Sequence, residues 1–187
     1  MDIAAVSNSI KSMSFKRMRP IVIGIEGFGG SGKTTVSKQL AQDLGKSYVI
    51  HIDDFIVKEM LSEPAWDTGV FDHRRLEKQV LVAAASGKEI IYQKLLYDSN
   101  CLGDFVKVPP VNYLIIEGIS CYIPSLRQYY DIKIWVDTPI RAAKERGIAR
   151  EGTHGSAADW ESWATIDVLY QKKYHPEIMA DFSITNG

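Results

Sequence analysis

Residues 27–34 read Gly-Phe-Gly-Gly-Ser-Gly-Lys-Thr, and the segments on either side of them are regularly patterned. The preceding run, residues 21–25, is short, apolar and rich in isoleucine and valine, which predicts a buried strand. The following residues, 34–44, place apolar side chains at helical intervals. A strand that turns through glycines into a helix directs several backbone N–H groups at one point. This stretch therefore predicts a loop that binds the phosphates of a nucleoside triphosphate.

Each residue type in this loop has its own chemical role. The glycines let the backbone approach phosphate oxygens, and the ammonium group of Lys33 reaches the β- and γ-phosphates, where it is also a catalytic candidate. The hydroxyl of Thr34 is the expected magnesium ligand. We therefore expect ATP and Mg²⁺ as cofactors. The predicted nucleotide-binding residues are Gly27, Phe28, Gly29, Gly30, Ser31, Gly32, Lys33, Thr34 and Thr35.

The bulk properties predict a soluble protein with one core. At 187 residues, we expect residues 1–19 to form an N-terminal arm or helix and residues 20–187 a single domain. A net charge of −1 gives no field that attracts nucleic acid or an anionic membrane, so neither is an expected partner. The chain has no secretory or membrane-spanning pattern, which predicts a cytoplasmic location. A monomer and a homo-oligomer both stay open.

Apolar strand patterns alternate with helical patterns along the rest of the chain. Strands are expected at residues 47–52, 112–116, 131–136 and 182–185, and helices at 73–86, 139–150 and 157–174. Residues 89–108 are less regular and predict a small hairpin. In the last helix, Trp160, Trp163, Ile166 and Tyr170 predict a packed face. The fold class is therefore α/β, a three-layer P-loop NTPase fold with a mostly parallel sheet flanked by helices, plus a small hairpin and lid.

Acidic residues follow several of the predicted strands. The carboxyl ends of parallel strands share one rim, so Asp53 and Glu117 should both face the phosphate loop. Asp53 is a candidate for the base that takes a proton from an acceptor hydroxyl, and its neighbour Asp54 competes for that role. Glu117 is a candidate to hold Mg²⁺ through water. His51 is expected to be a hydrogen-bonded core or rim group.

A pair of arginines is the remaining catalytic candidate. Arg146 and Arg150 are four residues apart on one predicted helix, so their side chains leave the same face. They are candidates for a lid whose guanidinium groups stabilise charge on a transferring phosphoryl group. The alternative is a solvated cationic helix end that matches the helix dipole.

From about Ile21 to Thr185, the chain resembles the uridine kinase, phosphoribulokinase and pantothenate kinase group of P-loop kinases. The run Asp53-Asp54-Phe55 resembles an Asp-x-Phe element whose first aspartate is the catalytic base, which favours Asp53 for that role. Residues 66–72 resemble a segment in which one aspartate, here Asp67 or Asp72, binds substrate hydroxyls. The pair Tyr97-Asp98 matches the Tyr-Asp of the nucleoside pocket. Asp54 is then a further substrate-binding candidate.

The resemblance also implies a reaction. It implies an enzyme with one P-loop kinase domain that moves the γ-phosphate of ATP to a hydroxyl of a small-molecule acceptor, a nucleoside or similar metabolite. Nicotinamide riboside, pantothenate or a sugar are alternative acceptors within the same chemistry. A non-catalytic nucleotide-binding or regulatory protein is the alternative outside it. The guanine-reading sequence Asn-Lys-x-Asp does not occur in the chain, which disfavours a regulatory GTPase.

Overall fold

A five-stranded parallel sheet forms the centre of the protein, with the strands in the order β2-β5-β1-β6-β7. The computed structural model describes residues 1–13, 18–57, 65–67, 69–96, 99, 101–151 and 156–186. Two further strands, β3 and β4, form a separate antiparallel hairpin. The strands are β1 Ile21–Gly27, β2 Ser47–His51, β3 Ile91–Leu96, β4 Cys101–Lys107, β5 Tyr113–Glu117, β6 Ile132–Asp137 and β7 Phe182–Thr185.

Helices cover both faces of this sheet. A π-helical turn, Glu77–Leu81, joins α3 to α4, so residues 73–85 run on as the single helix that the sequence pattern predicts. No helix within the described ranges combines the length and apolar character needed to cross a bilayer. The helices are α1 Ile3–Ser12, α2 Lys33–Leu44, α3 His73–Leu76, α4 Val82–Ala85, α5 Ile140–Glu151, α6 Ala157–Tyr174 and α7 Pro176–Met179.

The strand β1 occupies the middle of the sheet, and every one of its residues is buried. Gly24 pairs with Ile116 on one side and with Lys133 on the other. A Cβ atom at Gly24 would lie 2.8 Å from Cδ1 of Tyr122, so only glycine lets this aromatic ring pack flat on the strand. The phosphate loop therefore leaves from the most firmly held strand of the fold.

Each face of the sheet has its own hydrophobic core. On one face, Val6 and Ile10 of α1 pack with Val36 and Leu40 of α2, and all four are buried. The other core lies beneath α3, α4, the hairpin and α6. The helix α6 begins with a capping box and buries Tyr170 there, whereas Trp160 is buried against Gly29 of the loop and Gly147 of α5, with Trp163 beside it. The α/β, three-layer arrangement predicted from the sequence is confirmed.

The segment after β2 differs from the sequence prediction. The strand was expected to continue to Ile52, but it ends at His51, and residues Ile52–Phe55 form a turn of 3₁₀-helix. Ile52 is buried against Gly118, where a Cβ atom would lie 1.9 Å from its Cγ2 atom. This packing draws the chain off the sheet edge, so the two acidic residues Asp53 and Asp54 lie on a tight turn rather than on an extended strand.

Candidate active site

The phosphate loop is held open by glycines at positions that other residues would block. Gly30 has a φ of +77°, and a Cβ atom there would lie 2.0 Å from the backbone oxygen of Ala143 in α5. Gly32, with a φ of +94°, caps the beginning of α2. The Nζ atom of Lys33 donates to the carbonyls of Gly27 at 3.0 Å and Phe28 at 2.8 Å. The lysine charge is therefore held inside the loop, beside the positive end of the helix.

Two oxygen ligands meet at the start of α2. The Thr34 hydroxyl donates to Oε1 of Glu117 at 2.9 Å, and Nδ1 of His51 lies 2.5 Å from the same oxygen. Burial would raise the pKa of Glu117, but the hydrogen bond with His51 and the charge of Lys33 hold it below its ordinary value. The hydrogen bond to Glu117 raises the pKa of His51. Glu117 is therefore an anion within a positive surrounding.

The donors Thr34 and Glu117 fit a magnesium ion. Both offer hard oxygen atoms, the ligands that Mg²⁺ prefers. Within the part of the chain that the structure describes, no group of three or more His, Cys, Asp or Glu residues is arranged to hold a metal. A hydroxyl and one carboxylate leave most coordination positions to water and phosphate oxygens, which is how Mg²⁺ is usually bound next to a nucleotide.

Asp53 lies near this group of charges. Its side chain is exposed on one side, yet protein atoms surround it closely enough that loss of water raises its pKa. The negative charge of Glu117 raises the pKa further, and the positive charges of Lys33 and His51 oppose that rise. Asp53, Lys33 and Glu117 are therefore within electrostatic reach of one another, as expected for residues at one rim of the sheet.

Asp54 is turned toward the hairpin instead. Its Oδ2 atom accepts a hydrogen bond from the hydroxyl of Tyr92 at 3.3 Å and lies 3.3 Å from Nζ of Lys94. The backbone oxygen of Asp54 also accepts from Arg75 at 3.2 Å. The two adjacent aspartates therefore have different surroundings, a difference that the sequence could not predict.

The other predicted substrate ligands are more widely spread. Asp72 caps α3, where its Oδ1 atom accepts from the backbone N–H of Arg75 at 2.9 Å. Asp67 accepts from Nζ of Lys173 and from the hydroxyl of Tyr174, both at 2.6 Å, so its carboxylate faces α6. The structure does not group Asp67 with Asp53. Tyr97 and Asp98 lie outside the described residues.

The predicted lid arginines border the phosphate loop. Arg146 and Arg150 line a cavity of about 360 Å³ together with Gly30, Lys33 and Thr35. Nη1 of Arg146 donates to the backbone oxygen of Asn186 at 2.9 Å. A second depression of about 810 Å³ lies at the amino ends of the strands, beside Pro20 and Asn112. Ligands of parallel sheets bind at the carboxyl ends, so the smaller cavity is the candidate nucleotide site.

Sequence reasoning missed two buried acids beneath the loop. Glu26 accepts from the backbone N–H of Tyr122 at 2.7 Å and contacts the Tyr170 hydroxyl at 3.2 Å, and burial raises its pKa to about 8. Asp167 of α6 accepts from the backbone N–H of Gly29 at 2.7 Å, and burial raises its pKa to about 6. A signal existed for both, because each is an acid within an otherwise apolar strand or helix face.

Asn186, just beyond β7, is a further neighbour of the loop that sequence reasoning missed. Its Nδ2 atom donates to the backbone oxygen of Ser31 at 2.7 Å. The hydroxyl of Thr138 contacts the backbone oxygens of Ser31 at 3.1 Å and Asn186 at 2.9 Å. No sequence pattern indicated this contact, because it joins residues that are 155 positions apart.

Known proteins share both the sequence and the architecture of this chain. A uridine kinase of Clostridium perfringens is 34% identical over 130 residues, covering 64% of this chain and 62% of that enzyme. A uridine kinase of Ligilactobacillus salivarius is 30% identical over 193 residues, covering 94% of this chain and 89% of that enzyme. No family model matches the chain.

A solved structure agrees with these relatives in fold. A protein of Bacillus stearothermophilus, provisionally described as a uridine kinase, superposes with a TM-score of 0.74 at 20% identity, covering 97% of this chain and 96% of that one. The strand order, the phosphate loop and the flanking helices define a P-loop kinase fold. With the sequence relatives, they show that the chain belongs to the uridine kinase-like family of P-loop small-molecule kinases.

Proposed function

We propose that the protein is an ATP-dependent phosphotransferase that moves the γ-phosphate to a hydroxyl of a nucleoside or a similar small metabolite. The observation that carries this proposal is that Asp53 lies on the turn directly after His51, whose ring contacts Glu117, and that Glu117 is bound in turn to Thr34 beside Lys33. A phosphate loop alone binds a nucleotide, whereas a carboxylate opposite its lysine also provides a place for an acceptor hydroxyl.

In the proposed mechanism, the protein acts mainly by positioning and by charge. The loop N–H groups and Lys33 hold the triphosphate and stabilise the charge that develops on the γ-phosphoryl oxygens. Asp53 accepts the proton of the acceptor hydroxyl, and its raised pKa brings it closer to the operating pH, where a base works best. Thr34 and Glu117 would hold the magnesium ion, which when bound neutralises phosphate charge.

Arginines and further carboxylates complete the proposed site. Arg146 and Arg150 border the loop cavity and would close over the transferring group. Asp54 and Asp72 are the acceptor ligands that we favour, because Asp54 adjoins Asp53 and the backbone N–H of Asp72 donates to the oxygen of Phe55 at the end of the same turn. Asp67, Tyr97 and Asp98 stay predictions that rest on the family resemblance.

A nucleoside is the acceptor class that the relatives favour. Both of the compared enzymes are named uridine kinases, at 34% and 30% identity. A cytoplasmic location is part of the same proposal and is supported by two unpaired cysteines, exposed Cys101 and buried Cys121, as is usual in a reducing compartment.

A panel of acceptors tests the proposed reaction. ADP release with ATP and Mg²⁺ should stay near background alone and rise when a nucleoside is added, with nicotinamide riboside, pantothenate and sugars as the alternative arms. A rise with one of those alternatives would correct the acceptor and keep the kinase. Nucleotide binding with no ADP release for any acceptor would contradict the enzyme and favour a nucleotide-binding regulator.

Replacing Asp53 tests the proposed base. For Asp53→Asn, we expect kcat to fall by about 10²- to 10⁴-fold, because the proton acceptor is lost. Nucleotide affinity should change less than about threefold, since the loop contacts remain. Asp54→Asn is the comparison variant: it removes the same charge one residue away and, as an acceptor-ligand candidate, should raise the KM for the acceptor more than it lowers kcat. Full activity in Asp53→Asn together with a large loss in Asp54→Asn would move the base to Asp54.

A further inference from the structure

One carboxylate joins two parts of the molecule that are distant in sequence. Asp167 is 2% exposed and lies within α6. Its Oδ2 atom accepts from the backbone N–H of Gly29 at 2.7 Å, and its Oδ1 atom accepts from Nε1 of Trp66 at 2.6 Å. The first partner belongs to the phosphate loop, and the second lies next to Asp67 in the segment that resembles the acceptor site. Both hydrogen bonds are short and charge-assisted.

The same helix reinforces both ends of this link. On the loop side, the hydroxyl of Tyr170 contacts Glu26, the residue that precedes Gly27. On the other side, Lys173 and Tyr174 hold the carboxylate of Asp67. Helix α6 therefore contacts the loop at Gly29, the strand before the loop at Glu26, and both residues of the Trp66–Asp67 segment. Because a helix moves as a rigid unit, a displacement of the phosphate loop is transmitted through α6 to the Trp66–Asp67 segment.

Burying this charge is costly in this position, which argues against a purely structural role. A carboxylate next to a loop that binds a polyanion repels its ligand, and an apolar residue would fill a buried position at no such cost. The carboxylate of Asp167 also accepts the hydrogen bond of the Gly29 N–H, so the backbone at Gly29 is already oriented before a nucleotide binds. The cost is offset because the loop is preorganised: it loses less conformational entropy when a nucleotide binds.

We propose that Asp167 is a positioning residue that couples the phosphate loop to the Trp66–Asp67 segment, so that each controls the geometry of the other. The proposal rests on the proposed function only in taking the loop as a nucleotide site and the segment as its acceptor side. It assigns Asp167 no contact with nucleotide or acceptor. The carboxylate acts through Gly29 and Trp66.

A double-mutant cycle on Trp66 and Asp167 tests the coupling. Trp66→Phe removes the Nε1 donor and keeps a ring against Phe71, whose centroid lies 5.9 Å away. Asp167→Asn retains one acceptor oxygen for two donors. The measurement is the Kd of Mg²⁺–adenylyl-imidodiphosphate by calorimetry, with thermal unfolding recorded for every variant. No acceptor is needed, so the cycle reports on coupling even where turnover is absent.

We expect Trp66→Phe to weaken nucleotide binding about fivefold, although Trp66 lies outside the loop. Asp167→Asn should weaken it about tenfold, and the double variant no further, because both changes break one linkage. Asp167→Glu, which keeps the charge and both oxygens, should retain more affinity than Asp167→Asn. Trp163→Phe is the matched control on α6, and its Kd should stay within about twofold of the unmodified protein.

Two results would overturn the proposal. One is an unchanged Kd in Trp66→Phe with only a lower melting temperature, and the other is a double variant whose loss is the product of the single losses. If Asp167→Asn does not fold, the comparison of Trp66→Phe with Trp163→Phe decides alone. An unmodified protein that binds no nucleotide overturns this proposal and the proposed function together. Binding without turnover overturns the proposed function and leaves the coupling to be judged by the cycle.

Discussion

The two sides of the candidate cleft differ in the groups that face it: mainly backbone groups on one side and side chains on the other. The phosphate side is backbone: consecutive N–H groups, glycines at positive φ and one lysine whose Nζ atom contacts two loop carbonyls. The proposed acceptor side is made of side chains from separate elements, including Asp53 and Asp54 on a 3₁₀ turn and Asp72 at the start of α3. A backbone site needs a short contiguous sequence, whereas a side-chain site depends on how distant segments pack.

This difference also divides the work of the proposed enzyme. The backbone side recognises phosphates, which all nucleotide substrates share, so its residues are constrained to one pattern. The side-chain side recognises an acceptor, and acceptors vary among P-loop kinases. The comparison therefore predicts that substitutions on the phosphate side lower turnover with every acceptor, while those on the acceptor side also change which acceptor is used.

On the phosphate side, the largest effect is expected for Lys33→Met. Removing the loop cation should lower kcat/KM by about 10³-fold, because charge on the transferring phosphoryl group loses its nearest partner. Lys38→Met is the control, since Lys38 is exposed on the same helix α2. Steady-state ADP release with a confirmed acceptor measures both. A loss below tenfold would mean that the backbone N–H groups stabilise the phosphate charge largely without Lys33.

A smaller effect is expected when the backbone shape is disturbed. Gly30→Ala should destabilise the protein by about 2–4 kcal/mol, because it adds strain at a positive φ to a clash with the Ala143 carbonyl. Gly45→Ala separates the two causes: Gly45 has a φ of +71° with nothing within 4 Å of an added Cβ atom. Its ψ of −156° places it in a region that is nearly exclusive to glycine, so its expected cost is about 1–3 kcal/mol. Urea unfolding at constant m value compares them, and equal costs would show that α5 yields to the added methyl group.

A pH-dependent effect, smaller over a single pH unit than the cost of Gly30→Ala, concerns the buried acid under the loop. The pKa of Glu26 is about 8 in the folded protein against 4.5 as its ordinary value, so between these limits the unfolded chain releases a proton that the folded protein keeps. The free energy of unfolding contributed by this group therefore falls as pH rises, by up to about 1.4 kcal/mol per pH unit. Glu26→Gln should remove that slope between pH 5 and about 7.5.

Unfolding by urea at several pH values measures this slope. Glu145→Gln is the control, because Glu145 is exposed on α5 and pairs with Arg141 at 3.0 Å. Its unfolding free energy should follow that of the unmodified protein at every pH. If the unfolding free energies of Glu26→Gln and the unmodified protein change in parallel with pH, Glu26 is ionised in the folded state. The group beneath the loop would then be a carboxylate anion and not a neutral carboxylic acid.

The sequence was sufficient for the sheet and for the phosphate loop. Apolar runs such as residues 21–25 and 112–116 form the central strands, because burial on both faces requires continuous apolar sequence. Side-chain contacts between distant segments were not predictable. Asp167 meets Trp66 across 101 residues and Gly29 across 138, and nothing in local spacing encodes such a meeting. The directions in which the Asp53 and Asp54 side chains point also depend on the 3₁₀ turn, which forms where Ile52 packs against Gly118.

Among the residues that the structure describes, the hairpin of β3 and β4 forms a sheet separate from the parallel one, and yet Tyr92 and Lys94 contact Asp54. Substitutions in the hairpin can therefore change the surroundings of Asp54 while the register of the five parallel strands is preserved. If Asp54 is an acceptor ligand as proposed, exchanging this hairpin between relatives should change the preference for acceptors while the phosphate loop stays intact, provided that the new hairpin keeps Tyr92, which is buried and stacks on Phe55.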